Sequence, residues 1–428
     1  MKKVIVAGAG HGGLTAAYNL AKSGYDVTVL EKNKRANLGY GWKDSMEAKT
    51  FTDCGFENPD KKNLHDCDSM SFFNPSMTVR VAPKTDEICS DISIDRKFLI
   101  NYLIDNCISV GVKFIFECAV IGAVCDEFGV TGVRTSNKKY YCDLVIDACG
   151  IYSPVRRTLN PKFGISNNIE QKDTFYVYRA CYERTAKGKT APKSNVTFDH
   201  CEHIGMDWII TDDNCIDILV GGFASLTWDD VKKSADDYRK RYPLFENSIL
   251  SGGEIYTIPI GKMLPLIVCN GYAAVGDSAS MIVPLSGSGI SFSMRAGKML
   301  SDTVLKADDC SKKTLWKYNY LVFTKIGKKY LLDDIVKGLI SKLSFEELDY
   351  LFEKKILSEK EMIDKANVKY SPIEFIRKML ALSKKPLISA KLLGAAKDIG
   401  YSMLVANSIP KEYDSAAVKS WVKKYNKI

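Results

Sequence analysis

The sequence has no Cys-x-x-Cys pair, few histidines and no long apolar run, and each absence removes a class of function. Its 13 cysteines are an odd number, scattered through 428 residues without a repeating spacing. That argues against a disulfide framework and for a reducing compartment with free thiols. The 4 histidines fall at no ligand spacing with cysteine or carboxylates, so no metal is expected. No apolar run approaches the ~18 residues needed to cross a bilayer. The first apolar stretch, Val4 to Leu14, is broken by glycines and runs straight into a folded motif, unlike a secretory leader. The expected location is cytoplasmic, with peripheral contact to a membrane left open. Lys and Arg outnumber Asp and Glu by 60 to 51, giving a net charge of +9. The excess is spread out, and Lys384-Lys385 and Lys419–Lys427 are only modest clusters. A nucleic-acid binder gathers its charge into a patch, so no nucleic-acid partner is expected. A solvated lysine-rich surface, with at most a weak pull towards anionic lipid, accounts for it.

What is present is an ordinary globular composition, 46% hydrophobic and 26% charged, long enough for two or three structural units. Lys3 to Ala7 is a short β-rich run. Leu14 to Ser23 reads as a helix, and Val27 to Leu30 as a second strand, which together open a βαβ unit. Residues 33–92 carry weak periodicity and read mainly as loops. A helix is predicted from Asp95, on the spacing of Phe98, Leu99, Tyr102, Leu103 and Cys107. Strands follow at Val112–Phe116, Val120–Val124, Val130–Val133 and Tyr141–Ile146. Between about Thr174 and Tyr256 come short segments rich in β-branched and aromatic residues: Thr174–Tyr182, Ser194–Phe198, Asp207–Thr211 and Cys215–Phe223. Gly271–Val275 is a further strand, Ser288 to Leu305 a long helix, and the rest is amphipathic helix. The fold class is α/β (α+β overall). The expected units are a nucleotide domain from 1–173 and 261–310, an antiparallel β substrate domain at 174–260, and a C-terminal helical region at 311–428. That last region is either a helical cap or a dimer or membrane-resting surface.

Two motifs carry chemistry. Gly8-x-Gly10-x-x-Gly13 sits between a strand and a helix, and Glu31 ends the next strand. Gly8 permits a tight turn, Gly10 lets the backbone approach a diphosphate, and Gly13 lets helix and sheet pack closely. Free amides at the helix start hold phosphates, and Glu31 accepts from ribose hydroxyls. This alone does not separate NAD from FAD. The second motif, Gly276-Asp277 after a strand and then Pro284-Leu-Ser-Gly287-Ser-Gly289-Ile290, does. Asp277 is placed to bind a ribityl hydroxyl. The helix starting at Gly287 and Gly289 offers its positive end to a flavin's N1–C2=O edge, which favours the anionic reduced form.

The two motifs in this order resemble the flavoprotein superfamily typified by p-hydroxybenzoate hydroxylase, and within it most closely the geranylgeranyl reductase family, over roughly residues 1–310. Ile94-Asp95-Arg96 resembles the segment where an arginine approaches FAD. Asp143-Leu-Val-Ile-Asp147-Ala-Cys-Gly150-x-x-Ser153-Pro-Val-Arg156 resembles the middle fingerprint. Gly205-Met-Asp-Trp208-Ile-Ile with Ile218-Leu-Val-Gly221-Gly222 resembles the aromatic strand pair beside the substrate cavity. The resemblance implies FAD contacts from Gly8, Gly10, Gly12, Gly13, Glu31, Lys32, Arg96, Val120, Gly276, Asp277, Pro284, Gly287, Gly289 and Ile290.

The chain departs from the pattern in two places. Cys149-Gly150 stands where hydroxylases carry Asp-Gly, which leaves the electron donor open between NAD(P)H and a reduced ferredoxin or partner reductase. Thr211-Asp212 stands where the reductases have Phe-Pro, which leaves the substrate open. Tyr40, Trp42, Tyr176, Tyr178 and Trp208 are the candidates for the substrate cavity, and His11 is read as pointing away from the phosphates. The implied function is FAD-dependent reduction of a C=C bond in an apolar, isoprenoid or lipid-like substrate. The alternatives are a flavin monooxygenase or halogenase-like enzyme on a small aromatic or apolar substrate, and a non-catalytic FAD electron-transfer protein. The halogenase Trp-x-Trp-x-Ile-Pro segment is absent. The implied partners are a small apolar substrate and a redox protein, with the oligomeric state undetermined.

Overall fold

The computed structural model describes residues 2–67, 70–82, 91–166, 169–185, 193–212, 215–307, 309–358 and 372–428. In chain order the strands begin β1 (Lys3–Ala7), β2 (Asp26–Leu30), β3 (Lys43–Glu47), β4 (His65–Asp66), β5 (Ser71–Phe73), β6 (Arg80–Val81), β7 (Asp91–Asp95), β8 (Lys113–Ile115), β9 (Val120–Cys125) and β10 (Val130–Thr135). They continue as β11 (Lys139–Tyr141), β12 (Leu144–Asp147), β13 (Thr174–Arg184), β14 (Ser194–Phe198), β15 (Gly205–Thr211), β16 (Cys215–Phe223), β17 (Phe245–Pro259), β18 (Val268–Cys269) and β19 (Tyr272–Ala274). The longer helices are α1 (His11–Lys22), α2 (Arg96–Ser109), α3 (Trp228–Arg241), α4 (Ile290–Leu305), α5 (Lys312–Val322), α6 (Lys328–Ile340), α7 (Phe345–Glu353), α8 (Pro372–Ser383), α9 (Pro386–Asn407) and α10 (Ser415–Tyr425).

The first sheet has 6 strands in the order β18-β19-β12-β1-β2-β8. It is parallel from β19 to β8, with β18 an antiparallel edge. Its central strands are buried almost throughout, which is why Val4–Ala7 and Leu144–Ile146 read as continuous apolar runs. α1 and α4 cross on this sheet with their backbones nearly touching: a Cβ built on Gly297 would fall 2.1 Å from the Gly12 carbonyl oxygen. Residues far apart in sequence are thereby fused at one crossing.

The second sheet has 7 strands, ordered β17-β13-β16-β15-β14-β5-β6. It is antiparallel except where β5 runs parallel to β14. Ser71–Phe73 and Arg80–Val81 therefore leave the stretch read as loop and finish this sheet's edge. They are too short for periodicity to reveal, and only long-range pairing defines them. Helix α3 interrupts the strands and packs on the sheet through Val231, Ala235 and Tyr238. Its charged composition hides it, although the Thr227–Asp230 capping box marks its start. The C-terminal helices are tied to the first sheet and the segment leading into it by Tyr318 Oη donating to Ala274 O at 2.8 Å and Tyr425 Oη to Met263 O at 2.8 Å. Among the described residues no helix is long and apolar enough to cross a membrane.

Candidate functional site

A cavity of about 1550 Å³ is lined by residues of both sheets and of the C-terminal helices. At one end lie Ala9, Gly10, His11 and Gly12, with Gly276, Asp277, Gly287, Gly289 and Ile290. Gly8 and Gly13 stand behind this wall and shape it. Gly8 has φ +89°, and a Cβ there would meet Ala148 O at 2.6 Å. A Cβ on Gly13 would meet the Ala148 Cβ at 2.6 Å.

Two helices begin at this end of the cavity, and like α6 and α9 they lack a side-chain cap. Asp95, Thr227, Ser311, Ser344 and Asp414 cap α2, α3, α5, α7 and α10 through their side chains. α1 begins at Gly10 and α4 at Gly289, with no side-chain cap and no acidic residue in the first turn. Their leading amides are left to whatever occupies the cavity, and both helix dipoles favour negative charge there. Two uncapped starts facing one cavity, one for a diphosphate and one for an electron-rich ring edge, fit a flavin dinucleotide.

Glu31 has a structural role of its own. Its carboxylate accepts from Ala9 N at 2.9 Å and Asn33 N at 2.8 Å, so it braces the glycine loop. Lys32 projects outward and is exposed, Val120 is half-buried at the start of β9, and Pro284 is buried. None of these three lines the cavity, and neither does the buried Glu31, in contrast to the expectation for them. His11 does line it. Burial, helped by Arg96, drives its pKa down to about 3, and its Nε2 is buried without a hydrogen-bond partner. It is a neutral imidazole directed at the cavity. Asp277 is also a wall residue, with its carboxyl pushed up by burial against the pull of Arg96.

The middle fingerprint forms a buried knot that fixes the Gly276-Asp277 turn. Asp147 accepts from Ser153 Oγ at 2.5 Å and Tyr272 Oη at 2.9 Å. Arg156, 1% exposed, donates to Ser278 O and to Ile151 O, and Ser278 Oγ donates to Asp147 O at 2.5 Å. Cys149 is on the cavity wall, its thiol donating to Ala7 O at 3.2 Å. Burial, with Asp147 nearby, pushes that thiol well above its ordinary value. It is a protonated wall group rather than a reactive thiolate.

The centre of the cavity is aromatic and charged. Tyr40 stacks on Trp42 at 4.4 Å and 6°. The Arg179 guanidinium lies 4.8 Å from the Trp42 ring and 5.1 Å from the Trp208 ring. It donates to Asp217 through Nε (3.1 Å) and Nη2 (2.6 Å), to Asp44 through Nη1 (2.8 Å) and to Lys43 O through Nη2 (2.6 Å). Asp44 in turn accepts from Arg96 Nη1 at 2.6 Å. Burial opposes charge on Asp44, but Arg96 and Arg179 together hold its carboxyl below the ordinary value. Burial likewise opposes charge on Arg179, and Asp217 and Asp44 overcome it. Arg179 and Asp217 escaped sequence reasoning. The available signal was a lone cation inside one apolar strand and a lone carboxylate inside the next.

Tyr176 and Tyr178 are corrections. On β13 the cavity receives Arg179 and Cys181. Tyr178, Ala180 and Tyr182 face the opposite side, in the cluster beneath α3, and strand alternation puts Tyr176 there too. Tyr178 Oη is spent on Tyr182 Oη at 2.7 Å. Tyr40, Trp42 and Trp208 do line the cavity. Its far end is apolar and comes from the C-terminal helices: Val336 and Ile340 of α6, Leu348 and Phe352 of α7, then Leu357.

Among the described residues one group, His200, Cys201 and Asp237, is close enough to share a metal ion. Both His200 nitrogens already pair with carboxylates, Asp207 and Asp237, at 2.9 Å, and Arg241 also donates to Asp237. The geometry is that of a charged clamp.

Residues 6–52 match the family described as an NAD(P)-binding Rossmann-like domain. The chain is 21% identical over 417 residues to the digeranylgeranylglycerophospholipid reductase of Sulfolobus acidocaldarius, covering 92% of this chain and 90% of that protein. Among solved structures, a geranylgeranyl bacteriochlorophyll reductase-like protein of Thermoplasma acidophilum superposes with a TM-score of 0.73 at 18% identity, covering 92% and 99%. PqsL, a probable FAD-dependent monooxygenase of Pseudomonas aeruginosa, superposes with a TM-score of 0.60 at 15% identity, covering 82% and 99%. With the two-part dinucleotide wall and these likenesses together, the chain has the fold of FAD-dependent oxidoreductases and is similar to reductases of the geranylgeranyl type.

Proposed function

We propose that this protein reduces C=C bonds of an isoprenoid lipid-like substrate. The carrying observation is the continuity of one cavity from the uncapped starts of α1 and α4, past Trp42 and Trp208, to an apolar end built by Leu348, Phe352 and Leu357. Gly10, Gly12 and the α1 amides would hold the diphosphate, with Gly8 and Gly13 shaping the loop. Asp277 would bind the ribityl chain, and the amides after Gly289 the flavin ring edge. Glu31, anchored by Ala9 and Asn33, keeps a lone pair on each oxygen for a ribose hydroxyl. A flavin held there and reduced by an external two-electron donor would supply hydride to one carbon of the double bond, with the other carbon taking a proton from water. The remaining work belongs to the chain. Tyr40, Trp42 and Trp208 border the reacting bond, the apolar end holds the tail, and the Arg179 network fixes the two indoles. A substrate of this class resides in a bilayer, so peripheral membrane contact is part of the proposal.

The test is anaerobic turnover. The flavin is reduced with NADH, NADPH and reduced ferredoxin in parallel, and the protein is given a detergent-dispersed digeranylgeranyl glycerophospholipid. The expected product gains two hydrogens per reduced bond, without oxygen. A strict oxygen requirement, with one oxygen atom entering the product, would mean a monooxygenase instead. Gly12→Val, whose side chain would drive into Ser293 O, is expected to leave the protein without flavin absorbance between about 350 and 500 nm.

A further inference from the structure

We infer that the outer face of α9, together with the end of α8, is a docking surface for an anionic lipid bilayer. This deepens the proposal above by naming the surface at which the substrate arrives.

α9 is 22 residues long and carries three charges, Lys391, Lys397 and Asp398. One side is used internally, where Ile388, Ser402, Val405 and Ala406 are buried. Most of the remaining circumference is uncovered, and it is apolar apart from Lys397 and Asp398. Leu387 is 67% exposed, Leu393 71% and Leu404 73%, with Tyr401 at 45%. At ~100° per residue these four fall within about a third of the helix circumference. Gly394 and Gly400 lie among them, and a Cβ on either would meet nothing within 4 Å. On the neighbouring helix α8, Met379 and Leu380 are exposed too, at 50% and 60%. Scattered apolar residues on a surface need no explanation, but four large exposed ones on a third of one helix do.

The charges around the stripe identify the occupant. Arg377, Lys384 and Lys385 are exposed on the same stretch of chain and Lys397 stands among the leucines, and Asp398 is the only acidic residue between 377 and 404. A second copy meeting this face about a two-fold axis would set these cations against themselves. An anionic bilayer matches both features, because the leucines enter the acyl boundary while the lysines reach back to the headgroups. The position matches as well. Leu382, Ile388 and Leu392 pack in one cluster with Leu348 and Phe352, and those two line the apolar end of the cavity. The docking face is thus one helix layer, about 10 Å, from the place where a lipid tail would lie.

Co-sedimentation of the flavin-loaded protein tests this without turnover. Binding is expected to phosphatidylcholine vesicles containing about a third phosphatidylglycerol, falling roughly tenfold on phosphatidylcholine alone or at high salt. The triple variant Leu387→Glu, Leu393→Glu, Leu404→Glu should lose at least about tenfold of that binding, with flavin absorbance and Tm unchanged. As a folded-state check, Tyr401→Trp should show a blue-shifted emission on adding the mixed vesicles. Wild-type protein that stays in the supernatant, or a triple variant that binds like wild type, overturns the inference. So does a dimer that the triple variant abolishes while vesicles are ignored. If the vesicles bind but the detergent-dispersed lipid is never reduced, the docking face stands and the proposed reaction falls.

Discussion

The seven-stranded sheet buries a cation between carboxylates on each of its faces, with different consequences. On the cavity face the cation is Arg179, held by Asp44 and Asp217 and flanked by two indoles. On the α3 face it is His200, between Asp207 and Asp237, with His203 sharing Asp207 at 2.9 Å. Asp199 Oδ2, His203 Nδ1 and Ser234 Oγ nearby have no hydrogen-bond partner. A guanidinium keeps its charge at any working pH and fixes planar geometry. An imidazole can lose its charge. The sheet therefore places the invariant cation on the cavity wall and the titratable one behind it.

The largest expected effect comes from breaking the invariant side. Arg179→Met leaves Asp217 buried without its cation and should lower stability by about 3–5 kcal/mol in urea denaturation. Adding Asp217→Leu should recover part of that, and a wild-type urea midpoint for Arg179→Met would mean the network holds nothing. Next is His200→Gln, with a loss of about 2 kcal/mol near neutral pH. The wild-type pH profile sharpens this test. Burial opposes charge on His200, but Asp207 and Asp237 raise its folded pKa to about 11, from 6.5. Its contribution is full below 6.5 and drains away as pH climbs towards 11. Tm should therefore fall between about pH 7 and 10 in wild type and stay flatter in His200→Gln, with anaerobic turnover unaltered at neutral pH. The smallest effect is Tyr178→Phe, which removes the Tyr178–Tyr182 hydroxyl pair and should cost about 1 kcal/mol without touching turnover. Trp208→Phe, on the opposite face, should raise KM. A turnover defect in Tyr178→Phe would contradict the assignment of faces.

These faces also show where the sequence was readable. The glycine loop was legible because each glycine answers a separate backbone demand and Glu31 ends the strand that must follow. The β14 and β16 limits were legible because turns bracket short β-branched runs. The parity of β13 was not, since Thr174–Arg184 carries large side chains on both sides and alternation alone does not say which side meets the cavity. Arg179 decides it, because a buried cation must face a carboxylate and Asp217 is on the neighbouring strand. The apolar end of the cavity was out of reach for another reason. Leu348 and Phe352 arrive from helices far along the chain, and only tertiary packing reveals that they join a wall begun at Ala9.

The crossing of α1 and α4 bears on how the protein comes to hold its nucleotide. Gly12 and Gly297 press backbone against backbone, so the two uncapped helix starts exist as a pair or not at all. While the ribosome is still making the middle of the chain, the opening loop has no opposite jaw. A cofactor gripped between both helix starts would therefore have to wait until residue 297 has left the tunnel. A truncated or stalled chain would display the glycine loop yet remain colourless.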